Sequence, residues 1–502
     1  MSAQGTLLAA IDLGSNSFHM VVMRLFDGQL QVLDRIKEMV RLGGGLDDDD
    51  NLSQEAAERA LDCLARFGQR LSDMPRGSVR AVGTNTLRRA KNSAEFLKRA
   101  EQALGHPIEI IGGREEARLI YLGVAHTDLE TDEKRLVVDI GGGSTEVIVG
   151  QGLAPEFMES MPLGCVSMTR RFLADGTYTR ETLKRAESEA RLETRPYEYA
   201  FRHHRWQRAV GSSGSAKALA AVCEANGWCE PGQLTSDGLN RIRKALLKSG
   251  SIERLDIPGL TEERRPVFAG GYVVMQAVFD AFDIKTMFIS EGALREGLIF
   301  DRVGRMHGAN VRHATLERLQ RLFQVDRSHA QRVAETAQNL FDQVARDWRL
   351  SEEDGKALRK AALLHEIGLM VAHTSYHEHA AYILQHADMP GFSLQEQDRL
   401  AAIVLAHRRK LKKSWLNEQA PEQRDANLRL VALLRIAITL HRSRSPRGSI
   451  PPLRITAGDD SLQFGFPPDW LERHPLTQSD LEREAEYLCP HLKLDFVQDG
   501  CE

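Results

Sequence analysis

No two cysteines in this chain stand in a Cys-x-x-Cys spacing. The six, at 63, 165, 223, 229, 489 and 501, offer no zinc or dithiol motif, and free thiols in a reducing cytoplasm are expected. Long apolar runs are also missing, so no transmembrane segment is expected. Met1 to Thr6 is short and polar, unlike a secretory signal. Charge of one sign is absent as a global feature: the net is -4, so any polyanion must be held by a local patch. There is no Gly-x-Ser-x-Gly elbow and no Cys–His signature, which removes the usual signs of covalent catalysis. With 502 residues, 42% of them hydrophobic, the chain can fill the cores of two to four domains.

Against these absences stands one dense stretch, Val137 to Glu146. An apolar strand carrying Asp139 runs into Gly141, Gly142 and Gly143. Ser144, Thr145 and Glu146 follow, and Val147 to Val149 resumes an apolar strand. The hairpin tip is nearly all backbone, so successive N–H groups can ring an anion, with two hydroxyls beside them. Asp139 and Glu146 repel a phosphate but suit a metal ion or its waters next to one. A phosphate and Mg²⁺ site is the reading. The N-terminus repeats the pattern: Leu7 to Ile11, then Asp12-Leu13-Gly14-Ser15-Asn16-Ser17, then Phe18 to Leu25. Either turn alone reads as a tight hairpin. Two in the same context imply a duplicated half-domain and a cleft whose two tips pinch an anion, with Asp12 joining the metal-holding acids.

Strands and helices alternate between and after these turns, as expected of an α/β sheet. A helix is expected from about Ser53 to Leu71, and strands at Val79 to Val82 and Pro107 to Ile111. Arg88 follows a strand end, where such sheets place ligands, and can grip a phosphate or simply lie on the surface. Of the adjacent Glu115 and Glu116 at a helix start, at most one faces a given cleft. Glu116, followed by apolar Leu119 and Ile120, reads as the inward one, placed to act as a general base. After residue 300 strand signals fade. Val333, Ala337, Leu340 and Val344 share one helix face, and histidines at 329, 365, 373, 377, 379 and 407 are scattered over helices. Residues 401–450 hold 11 Lys and Arg against 3 Asp and Glu, densest at His407, Arg408, Arg409, Lys410, Lys412 and Lys413. A phosphate polymer would be drawn to such a patch; only Trp415 interleaves with it, which argues against nucleic acid. Gly448 to Pro452 reads as a linker, and Leu453 to Phe466 as a small hairpin.

The motifs Ala10 to Ser17, Gly113 to Arg118 and Asp139 to Glu146 together closely resemble the exopolyphosphatase / guanosine pentaphosphate phosphatase family, within the actin-like ATPase and sugar kinase superfamily. Met161 to Val166, Val210 to Ser215, Gly292 to Gly297 and Leu364 to Leu369 extend the likeness. The resemblance implies two actin-like (ribonuclease H-like) α/β domains, 1–125 and 126–304, forming a cleft. An all-α HD-like domain, 305–445, and a small α+β domain, 446–502, would follow. It implies Mg²⁺-dependent, processive removal of the terminal phosphate of inorganic polyphosphate, with a monovalent cation such as K⁺ as a further cofactor. Glu116 is then the base, and Asp139 and Glu146 hold Mg²⁺ or position water. Gly14 to Ser17, Gly141 to Thr145 and Arg88 grip phosphate, and the basic residues after 400 guide the polymer. A cytoplasmic homodimer is implied, with peripheral membrane association left open. Guanosine pentaphosphate (pppGpp) hydrolysis is the nearest alternative, and an actin-like ATPase or sugar kinase a remote one. A non-catalytic binding module is disfavoured by the acids at 116, 139 and 146. The HD-type layout departs at His365-Glu366, where the type has His-Asp; the extra methylene argues for structural or substrate-contacting histidines over a metal site.

Overall fold

A computed structural model describes residues 5–26, 29–127, 133–306, 311–445, 450–489 and 491–498. Cys501, Arg447 and the start of the expected linker at Gly448 lie outside these, as does the Lys413 side chain. The chain divides into two compact units, Met1–Asn310 and Val311–Glu502.

In the first unit, two sheets repeat one topology. Strands β1 (Thr6–Leu13), β2 (Phe18–Phe26) and β3 (Gln29–Glu38) run as an antiparallel meander. β4 (Val79–Gly83) and β5 (Ile108–Ile110) add in parallel on the other side of β1, giving the order β3-β2-β1-β4-β5. The second sheet has the same plan: a meander of β6 (Arg135–Ile140), β7 (Thr145–Gln151) and β8 (Ala154–Met161). β9 (Arg208–Gly211) and β11 (Thr286–Ile289) are parallel to β6, and β10 (Gln233–Thr235) is an antiparallel edge. β1 and β6 are apolar without alternation because both faces of a central strand are covered; β3, an edge strand, alternates. The helix Gln54–Leu71 starts where Ser53 accepts a hydrogen bond from the Ala56 N–H, and it buries Ala56, Ala60, Leu64 and Phe67 on one face. The helix Gly113–Thr127 is buried on nearly every side, which fixes its N-terminal turn firmly against the sheets.

The second unit is helical. Val333, Ala337, Leu340 and Val344 on the helix Arg327–Val344 pack with Leu358, Leu400 and Leu430 of other helices. Its C-terminal end holds a three-stranded sheet. β12 (Arg454–Ala457) and β13 (Ser461–Phe466) form the expected hairpin. β14 (Lys493–Gln498), not foreseen, lies parallel to β13 after the helix Pro475–Leu488. No helix among the described residues is long and apolar enough to cross a membrane.

Candidate active site: two hairpin tips and a buried acid group

The two repeated hairpins match residue for residue. Asp12 pairs with His19 across β1 and β2, and Asp139 with Glu146 across β6 and β7. Gly14 and Gly141 occupy equivalent corners, where an added methyl would stand 2.9 Å from the Ser17 carbonyl oxygen and 3.1 Å from that of Ser144. The tips themselves meet. A methyl on Gly142 would lie 2.7 Å from Cβ of Ser15, and one on Gly143 would lie 2.3 Å from Oδ1 of Asn85. Those glycines are required by close approach, not by an unusual backbone angle.

Beneath the tips lies a cavity of about 380 Å³. Asp12, Gly14, Ser15, Asn16, Ser17, Glu116, Asp139, Gly141, Gly142 and Ser144 all line it. Glu116 comes from the first turn of the helix Gly113–Thr127. Its neighbour Glu115 is also buried but turns to Arg118, at 2.7 Å, which in turn holds Asp301 at 2.8 Å. The pair therefore divides as helical geometry requires, one toward the cavity and one into a structural ion network.

Four of the residues singled out from the sequence stand differently. Thr145 is fully buried and its hydroxyl donates to the Leu163 carbonyl at 2.5 Å, so it supports the turn. Gly143 is packed on Asn85 and is not among the lining residues. Glu146 lies behind the lining, its Oε1 accepting from Ser160 Oγ at 2.7 Å. Arg88 donates to the Ile111 carbonyl at 2.6 Å and to Glu116 at 3.2 Å, so its guanidinium faces a backbone oxygen and the acid, not open space.

Burial dominates the electrostatics. It pushes the Asp12 carboxyl up to about 7, helped by Glu116 and Asp139 and opposed by Arg295. It pushes Glu116 up to about 6, with Arg88 opposing and Asp139 reinforcing. Asp139 is raised by burial despite a hydrogen bond from Ser212 Oγ at 2.6 Å, and Glu146 is raised well above the usual range by burial and by Glu116 and Asp139. His19 goes the other way: burial and the cations Arg295, Lys37, Arg264 and Lys217 push it down to about 2, so it is neutral, with Nε2 2.8 Å from Ser17 Oγ. Asp12 Oδ1 is buried with no hydrogen-bond partner.

Sequence reasoning missed the cations. Arg35, Lys37, Lys217, Arg264 and Arg295 line the cavity. Arg35 and Lys37 are alternate residues of β3 and therefore share a face. Lys217 follows the Gly211 to Ser215 turn, and Arg295 sits in the Gly292 to Gly297 motif; both motifs were visible, but not which side chain reached inward. Four of the five have acidic partners: Glu296 for both Arg35 at 3.3 Å and Arg295 at 3.9 Å, Glu263 for Lys37 at 3.0 Å, and Glu291 for Lys217 at 2.8 Å.

The basic stretch of the second unit is not uniform. His407 is buried, with Nδ1 against the Val404 carbonyl and Nε2 3.2 Å from Tyr376 Oη, so it departs from the expected surface contact. Arg408 lies over the Tyr376 ring at 4.9 Å. Arg409, Lys410 and Lys412 are exposed, Lys412 beside Glu378 at 3.3 Å.

Comparison with known proteins agrees with the geometry. Residues 21–306 match the model of the Ppx/GppA phosphatase family, and residues 311–485 that of Ppx/GppA phosphatase, domain III. The chain is similar to an exopolyphosphatase structure from Cytophaga hutchinsonii at 26% identity, over 61% of this chain and 99% of that one, with a TM-score of 0.55. It is also similar to a PPX-GPPA enzyme from Aquifex aeolicus at 27% identity, over 59% and 99% of the two chains, with a TM-score of 0.50. The duplicated sheets, the paired hairpins and these two family matches lead to one statement: the chain belongs to the Ppx/GppA phosphatase family.

Proposed function

We propose that the cavity hydrolyses the terminal phosphoanhydride bond of inorganic polyphosphate and releases orthophosphate. The observation that carries this is the convergence, in one cavity, of two backbone-rich tips, three acids and five cations. Phosphoryl transfer to water needs a positioned water, neutralised charge and little covalent help. The tip N–H groups, with Arg264 and Arg295, supply donors to the terminal phosphate, while Arg35, Lys37 and Lys217 exchange their acidic partners for phosphates further along. Glu116 takes the proton from the attacking water; a carboxyl raised to about 6 is basic enough to accept it and is still ionised at pH 7.

The acids suit Mg²⁺. The donors are hard oxygens, and Asp12 Oδ1 is an orphaned buried acceptor. Asp12, Asp139 and Glu146 do not form a set of three with one oxygen each within 4.8 Å of the others; the described residues contain one such set of ligating groups, and it lies in the second unit. Asp12 and Asp139 would therefore hold the ion, with Glu146 orienting the group from behind. Mg²⁺ commonly binds through one or two carboxylates plus water and phosphate oxygens, and when bound it neutralises phosphoryl charge.

Among the described residues the lining contains no Phe, Tyr or Trp on which a guanine could stack, which favours the inorganic chain over pppGpp. Side-by-side rates on long-chain polyphosphate and on pppGpp test this. Greater kcat/KM on polyphosphate is expected; phosphate release from the nucleotide alone, or from neither, overturns it. We also assign a guiding role for the distal polymer to Arg409, Lys410 and Lys412. Reversing all three to Glu should raise KM for long chains at low salt and leave short-chain rates unchanged. An unaltered long-chain KM removes that role.

A further inference from the structure

The second unit contains a cluster that phosphate hydrolysis in the cavity does not use. We infer that His329, His365 and Glu366 form a binding site for a divalent transition-metal ion of the Zn²⁺ class. His329 lies in the first turn of the helix Arg327–Val344, His365 caps the helix Glu352–Leu364, and Glu366 leads into the short turn Ile367–Met370. All three side chains are buried. Among the described residues they are the one set whose ligating atoms, one from each of three groups, lie within 4.8 Å of one another.

Glu366 Oε1 is the shared vertex. It stands 3.9 Å from His329 Nε2 and 3.9 Å from His365 Nε2. Ligand atoms about 2.1 Å from a tetrahedral ion stand roughly 3.4 Å apart, so a contraction of about half an ångström brings each carboxylate–imidazole edge to ligating separation. The methylene that distinguishes Glu366 from the aspartate of a His-Asp pair lets the carboxylate reach both rings at once.

The protonation pattern points the same way. His365 Nδ1 is 2.7 Å from the Ala362 carbonyl, which can only accept, so Nδ1 carries the proton. The lone pair is then on Nε2, which is fully buried, aimed at Glu366 and without a hydrogen-bond partner. An imidazole whose far nitrogen donates to a backbone carbonyl is the arrangement that orients a metal ligand. An unsatisfied buried acceptor is destabilising, and a coordinated ion would remove that cost. Two imidazoles and one carboxylate favour Zn²⁺, Co²⁺ or Fe²⁺ over the all-oxygen preference of Mg²⁺.

One cation already touches the vertex. Arg444 Nη2 contacts Glu366 Oε1, while the Arg444 side chain is 46% exposed and its backbone has a φ of 56° in the left-handed region. It is a detachable counter-ion that leaves His365 Nε2 unsatisfied, and it competes with a metal for the same oxygen.

The test uses the full-length protein, stripped with a chelator and titrated with Co²⁺ in excess Mg²⁺, which covers oxygen-only sites. Expected is the visible d–d spectrum of one nitrogen-ligated Co²⁺, displaced by Zn²⁺. Glu366→Gln and His329→Gln should each weaken uptake at least about tenfold with unchanged circular dichroism, and Arg444→Ala should tighten it. No Co²⁺ spectrum in either the wild type or Arg444→Ala overturns the site. So does uptake that Glu366→Gln and His329→Gln leave unchanged.

Discussion

The β1–β2 and β6–β7 hairpins share strand pairing, an aspartate at the same register and a glycine at the same corner, yet their tips carry opposite furniture. The first presents Ser15 and Asn16; the second presents bare Gly142 and Gly143 in the matching places. Opposite Asp12 stands neutral His19, and opposite Asp139 stands the acid Glu146. A duplicated scaffold has kept the strand pairing, the aspartate and the corner glycine and differentiated what surrounds them. The physical reason is contact: where two tips touch, only one can carry side chains.

The largest effect expected is on the residue between the hairpins. Glu116→Gln should lower kcat about 10²- to 10⁴-fold while polyphosphate still binds. A near-native rate, measured by phosphate release, would take Glu116 out of the base role. Next, Asp12→Asn and Asp139→Asn test whether both hairpins hold the ion. Each should raise the Mg²⁺ concentration for half-maximal rate by roughly 10- to 100-fold. A change in one alone would assign the ion to a single hairpin.

Gly142→Ala probes the contact itself. It should cost about 1–3 kcal/mol in denaturant unfolding, because the new methyl meets Ser15 Cβ and not a flexible chain end. Combining it with Ser15→Gly transfers the side chain from one tip to the other and should restore most of the loss; simple additivity would refute the contact.

The smallest effects are in pH. Rate should fall on the acid side as pH drops through about 6, where Glu116 takes up its proton. Stability without Mg²⁺ runs the other way. Asp12 binds its proton more tightly folded (about 7) than unfolded (3.8), so its contribution is complete below about 3.8 and is lost as pH rises toward 7. Thermal unfolding of metal-free protein should show this decline, reduced in Asp12→Asn; an equal slope in both would show that Asp12 is not its source.

Much of the first unit was legible because its signals are local. Apolar runs ending in Asp-x-Gly mark the strands and tips, and the 3.6-residue period marks the helices. Glu116 was separable from Glu115 because adjacent helical residues point apart. Arg88 was not legible, since nothing in its neighbours reveals that its guanidinium reaches Glu116. Nor was His407, whose basic surroundings suggest a surface while its own ring is buried against Tyr376.

The amino-acid order alone determined the duplicated hairpins, the acids placed on them and the change to helix after residue 300, because periodicity and glycine turns act within a few residues. Only the tertiary structure decided that five cations from four segments converge on one cavity, and that His329 meets His365 and Glu366. Those meetings depend on how helices and strands pack and on which way each side chain leaves the backbone, and neither is written within any short window of sequence.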